Sequence, residues 1–203
     1  MSYPLCCQSK IRGFTLAELL IALAILGVIA TFTIPKVLQA SSDAQFNAAG
    51  KEVAGMISGA YQAYQVRNTP VATTTIADLT PYMNYVSLQT TGQIDYVQNN
   101  ATPYPCVTAS PCLVLHNGGR LFYDPGVYFN GTGNNAVWFY FDPDGRVTDG
   151  TASGPGHSVL FALYFNGRIR TWATVEAGTQ CSSGCGGGLS PSPVNEPPWF
   201  HWT

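Results

Sequence analysis

Twenty-one residues, from Phe14 to Ile34, carry a single charged side chain, Glu18. As a helix rising about 1.5 Å per residue, this stretch spans roughly 30 Å, the hydrocarbon thickness of a bilayer. Burying an isolated carboxylate in such a segment costs roughly 2.5–3.5 kcal/mol on insertion scales, so Glu18 requires a partner. A secretory signal has an apolar core of about 7–15 residues followed by a small-residue cleavage site. The core here is longer, begins with a glutamate and ends in Thr33-Ile34-Pro35-Lys36, so the segment is expected to stay with the protein. Lys10 and Arg12 on its amino side place the leader in the cytoplasm and everything after Pro35 beyond the membrane.

At Lys10-Ile11-Arg12-Gly13-Phe14-Thr15-Leu16-Ala17-Glu18 the chain resembles the type IV pilin and type II secretion pseudopilin superfamily. The resemblance implies an α+β, type IV pilin-like fold in which a long N-terminal helix packs on an antiparallel β-sheet. It implies that a prepilin peptidase cuts between Gly13 and Phe14 and that Phe14 is N-methylated. Glu18, the fifth mature residue, would then direct assembly by facing the Phe14 ammonium of a neighbouring subunit. Gly27 and Pro35 fall where many members loosen or bend the first half of the helix. Opposite charges about 4 Å apart attract by roughly 4 kcal/mol at an effective dielectric of 20, before desolvation is subtracted. A misregistered neighbour would leave Glu18 buried and unpaired, so the pair reads as a register device first and a source of stability second. The partners implied are further copies in a helical filament, the prepilin peptidase, an inner-membrane assembly platform, and the membrane before assembly. The implied location is the bacterial inner membrane for the precursor, then an extracellular filament or a periplasmic pseudopilus.

Cleavage after Gly13 would leave 190 of the 203 residues, enough for one modest globular domain on a helix. Charged residues are only 10% of the chain, and without the leader 7 basic side chains face 11 acidic ones. Such a neutral, slightly acidic surface lacks the field that attracts nucleic acid, so that partner is not expected. Cys6 and Cys7 leave with the leader, and Cys106, Cys112, Cys181 and Cys185 remain as an even set in an exported, oxidising setting. The local pairs Cys106–Cys112 and Cys181–Cys185 are favoured, because each brackets a short Pro- or Gly-bearing loop. A pairing between the two loops stays open. The spacings C-x5-C and C-x3-C differ from zinc knuckles, so a four-thiolate zinc site is not expected.

The pattern predicts six segments. Residues 1–13 form the leader, 14–35 the membrane or filament-core half of the helix, and 36–68 its amphipathic half. In the latter, Phe46, Ala49, Val53, Met56, Ala60 and Tyr64 form a stripe with Asp43, Lys51, Glu52 and Gln62 off it. The helix should stop before Thr69-Pro70, with a kink or locally melted stretch between Gly27 and Pro35. Residues 69–112 read as a variable connector, with a helix or turn at Ile76–Met83, a strand at Gln93–Val97, and subunit contacts or exposed surface as its role. Residues 113–178 read as an antiparallel sheet, with strands at 113–116, 120–123, 127–129, 136–141, 158–165 and 168–175. Asn117-Gly118 and Asn166-Gly167 supply hairpin turns. Residues 179–203 form a Cys/Gly/Pro-rich tail that looks extended, with Trp199, Phe200 and Trp202 expected to lie back on the sheet or on a neighbour.

No cofactor is implied, and no G-x-S-x-G or phosphate loop is present, so the chain reads as the substrate of an enzyme and not as one. His116, His157 and His201 are scattered along the sequence. Asp142, Asp144 and Asp149 around Gly145 are weak calcium candidates; Ser153 breaks the EF-hand spacing, and an acidic hairpin tip explains them. Three functions are compatible with these features. The leading one is a structural pilin of a type IV pilus or related extracellular filament. The second is a minor pseudopilin of a type II secretion system, which Phe141, Pro143, Gly145, Arg146 and Gly167, Arg168, Ile169, Arg170 resemble through F-x-P-x-G-R and G-R-(I/V)-R. The third is a tip pilin binding a ligand or DNA through Arg120, Arg146, Arg168 and Arg170, which are better read as solvated strand ends.

Overall fold

The computed structural model describes residues 13–94, 104–129, 135–145, 158–180, 190–191 and 196–202. Cys181, Cys185, Arg146, Asp149, His157 and the leader up to Arg12 lie outside the described residues. Helix α1 (Leu16–Arg67) is unbroken through Gly27 and Pro35, so the melted stretch expected between them does not occur. Thr31 and Thr33 lie just ahead of the proline, and each donates its hydroxyl to the carbonyl four residues back, on Gly27 and Ile29, at 2.7 Å. The helix ends at Arg67, ahead of Thr69-Pro70 as the sequence predicts.

The chain divides into two compact units, Met1–Ser42 and Asp43–Thr203. In the first, every described residue is exposed except Ala30 and Ser42, which are intermediate. In the second, the buried face of α1 is Gly50, Val53, Ala54, Ile57, Ala60 and Tyr61. The stripe read from the sequence thus marks one flank of this face: Val53 and Ala60 are buried, while Phe46, Ala49, Met56 and Tyr64 pack at its margin. The face is centred on Ile57 and Tyr61, both fully buried, and also takes in the small residues Gly50 and Ala54, with the tail residues Phe200 and Trp199 lying over Gly50.

The strands are β1 (Ser87–Gln89), β2 (Gln93–Ile94), β3 (Tyr104–Pro105), β4 (Cys112–Val114), β5 (Arg120–Tyr123), β6 (Ala136–Asp142), β7 (Val159–Tyr164) and β8 (Ile169–Thr171). Six of them form an antiparallel sheet in the order β1-β4-β5-β6-β7-β8, and β2 pairs with β3. Gly118 and Gly167 take positive φ, +86° and +82°, in the two Asn-Gly turns, as such hairpins require. The expected strand at 127–129 reduces to one bridge between Tyr128 and Thr75. The strand expected over 168–175 ends at Thr171, because the Thr171 N–H bonds the Thr174 hydroxyl at 3.1 Å and the chain turns there. The stretch expected at Ile76–Met83 is a 3-10 helix, Ala77–Tyr82. The connector also fills the core through Ile76, Leu79 and Ile94 and supplies the edge strand β1, so it is more than a surface segment.

All seven residues of β6 are buried, so the sheet is covered on both faces. On one face, α1 meets it through Tyr61, whose hydroxyl donates to the Phe165 carbonyl at 2.6 Å. Burial pushes the Tyr61 hydroxyl pKa up. On the other face, Tyr104 of β3 stacks on Tyr140 with ring centroids 4.9 Å apart, and burial holds the Tyr140 hydroxyl well above the usual tyrosine range.

Of the C-terminal aromatics, Trp199 and Phe200 are part of the core, while Trp202 stays exposed beside Phe161 and Phe200. Phe200 is 1% exposed and sits edge-on to Phe161 of β7 at 5.5 Å, while Trp199 packs against Phe46 of α1. The His201 N–H donates to Asn47 Oδ1 at 3.1 Å, tying the tail to the helix. A Cβ added at Gly50 would lie 2.7 Å from the Phe200 ring, so glycine here makes room for the tail.

Cys106 and Cys112 form a disulfide that closes a short loop beside β4. Replacing both by alanine is expected to lower stability by roughly 2–3 kcal/mol through the freed unfolded chain. Thermal denaturation with and without reductant measures this, and equal midpoints for wild type and variant would show that the bond contributes nothing.

Candidate assembly and processing site

The helix begins beside the one charge of the apolar stretch, Glu18. Thr15 is the last residue before α1, and its side chain and that of Glu18 satisfy one another. Glu18 Oε2 accepts the Thr15 N–H at 2.8 Å and the Thr15 hydroxyl at 2.9 Å, while the Glu18 N–H donates to Thr15 Oγ1 at 3.2 Å. This is a capping box: two N–H donors that a helix start leaves without backbone partners are bonded reciprocally by the side chains of a T-x-x-E sequence. A carboxylate at this end also lies favourably in the helix dipole. Glu18 therefore has a first partner inside its own chain, and Thr15 is the residue the sequence reading overlooked. Its signal was present, since Thr15-Leu16-Ala17-Glu18 has the capping-box spacing.

Gly13 and Phe14 precede the helix. Phe14 is 82% exposed, and a Cβ added at Gly13 would touch nothing within 4 Å. Neither crowding nor a left-handed backbone demands glycine at position 13, so any requirement for it comes from outside the folded chain. Gly27 is likewise unobstructed. Beyond Glu18 the helix presents apolar surface all round. Fourteen large apolar side chains from Phe14 to Leu38 are each more than half exposed. Withdrawing them from water is worth on the order of 20–40 kcal/mol at about 1.5–3 kcal/mol apiece. That exceeds the stability of a typical domain, so the segment is made to be covered by lipid or by other helices.

The other expected site residues are placed by the sheet. The Asp142 carboxylate is fully buried, and its Oδ1 accepts the Asp144 and Gly145 N–H groups at 3.3 and 3.0 Å, so it shapes the turn after β6. Among the described residues no group of three or more His, Cys, Asp or Glu side chains is placed to hold a metal ion. Arg120 donates to the Gln93 carbonyl at 2.6 Å, and Arg168 pairs with Glu176 at 2.7 Å while lying over the Tyr164 ring. Each of these two arginines has a partner within the domain. His116 Nε2 lies 3.1 Å from Asn84 Oδ1.

Residues 8–34 match the family model of the prokaryotic N-terminal methylation motif, the prepilin-type motif of type IV pilins and pseudopilins. No curated protein and no solved structure matches the chain. The motif supports a type IV pilin-like or pseudopilin-like protein and implies processing by prepilin peptidase and assembly into a filament.

Proposed function

We propose that this chain is a pilin: a structural subunit cut after Gly13, methylated on Phe14, and polymerised into a type IV pilus or related extracellular filament. The observation that carries the reading is Glu18, the fifth residue after the proposed cut, set at the first turn of a helix whose apolar membrane-length stretch is entirely unburied in its own chain. In the membrane, the capping box supplies Glu18 Oε2 with two hydrogen bonds. In the filament, the carboxylate meets the Phe14 ammonium of a neighbour, which converts a burial cost into a test of register. The sheet, covered on both faces, then forms the outer layer.

Intact-mass measurement of protein isolated from sheared surface filaments tests the proposal. The expected species begins at N-methylated Phe14 and lacks Met1–Gly13. An uncut chain, or a cut elsewhere, removes its main support. A second reading, a minor pseudopilin of a type II secretion system, draws on the β6 and β7–β8 hairpin residues Phe141, Pro143, Gly145 and Gly167–Arg170. It predicts that the chain is scarce in sheared surface filaments, where a major pilin would dominate.

A further inference from the structure

Between Glu18 and Lys51, helix α1 carries two charged side chains, Lys36 and Asp43. Neither has an oppositely charged residue three or four positions away, the distances at which helical side chains meet. Among the described residues, neither makes an ion pair or hydrogen bond. Lys36 is exposed amid apolar surface, with Phe32, Ile34, Val37 and Leu38 each more than half exposed around it. Covering that surface with neighbouring helices encloses the ammonium, and an enclosed charge needs a counter-charge.

We propose that Lys36 of one subunit pairs with Asp43 of an adjacent copy, and that this contact sets the same axial stagger as the pair between Phe14 and Glu18. The proposal rests on the filament reading above. Seven helical residues rise about 10.5 Å and return to within about 20° of the same face. Two parallel copies displaced by that amount bring Lys36 of the advanced copy level with Asp43 of the other. The first pair allows a displacement of up to nearly the same size. From Leu16 to Glu18 the helix rises about 3 Å, and the non-helical Phe14 and Thr15 add up to about 7 Å. The freed ammonium thus reaches up to about 10 Å below Glu18. The sense agrees as well: in both pairs the cation belongs to the advanced copy and the anion to the other.

Exchange of charge tests the pair in assembling cells. Lys36→Glu and Asp43→Lys, each expressed alone, are expected to lower the yield of sheared filaments at least about tenfold. The chain carrying both substitutions is expected to return to near the wild-type yield. So is an equal mixture of the two single variants, because in an alternating array every substituted side chain faces an opposite charge on the next copy. Recovery by the mixture is specific to a contact between subunits. As an independent measure, a chain carrying Lys36→Cys with Asp43→Cys is expected to give a ladder of disulfide-linked multimers when its filaments are oxidised. Single variants that assemble like wild type, a mixture no better than its components, or oxidised filaments that remain monomeric would each overturn the pair. If wild-type assembly needs Glu18 but ignores these exchanges, the pair alone falls. If the wild-type chain forms no filament, the functional reading falls with it.

Discussion

Phe200→Ala is expected to destabilise the domain by about 3–5 kcal/mol, the cost of emptying an aromatic site in a packed core. The ring is 1% exposed, touches Phe161 of β7 and approaches Gly50 so closely that no side chain fits between them. Neighbouring contacts, Trp199 against Phe46 and the Tyr61 hydroxyl on the Phe165 carbonyl, limit how far the site can collapse. A urea titration of the detergent-solubilised chain, followed by tryptophan fluorescence, should show a lower midpoint with an unchanged slope. A shift equivalent to less than about 1 kcal/mol would mean that the tail only rests on the domain, as an exposed substitution would.

Glu18→Leu is expected to insert into the membrane and be cut after Gly13, yet to lower filament yield by more than about a hundredfold. Removing one partner of a buried ion pair costs about 3–5 kcal/mol, and every 1.4 kcal/mol is a factor of ten. The substitution also deletes the acceptor of the capping box, so Glu18→Gln separates the two effects. Glutamine can hold the Thr15 N–H but carries no charge. If the glutamine variant also fails to assemble, the charge is what matters. If it assembles like wild type while leucine does not, helix capping explains the defect, which a loss of about 1 kcal/mol from a cap would suit. Assembly of both variants at the wild-type level would end the argument from Glu18.

Local chemistry made much of the fold legible. The membrane-length apolar run, the T-x-x-E spacing at its start and Thr69-Pro70 at its end delimit α1 by rules that act within a few residues. The Asn-Gly turns announce the β4–β5 and β7–β8 hairpins in the same way, because two positive-φ residues between apolar runs admit few alternatives. Cys106 and Cys112 were paired on the same local grounds. Strand limits were less legible. Residues 136–141 form β6 within one residue of the expected limits, whereas the run around 168–175 is cut short by threonine hydroxyls that bond the backbone locally.

What the sequence by itself determined is therefore the set of elements whose signals are local: the apolar helix, the carboxylate at its head and the tight hairpins. Tertiary structure alone decided which distant segments meet. The connector at Ser87–Gln89 pairs with β4 as an edge strand, Tyr104 covers the outer face of the sheet, and the tail places Phe200 between Gly50 and Phe161. The physical reason is that burial is non-directional. An aromatic residue gains the same transfer energy from any apolar cover, and only the shape left by the rest of the fold selects among them.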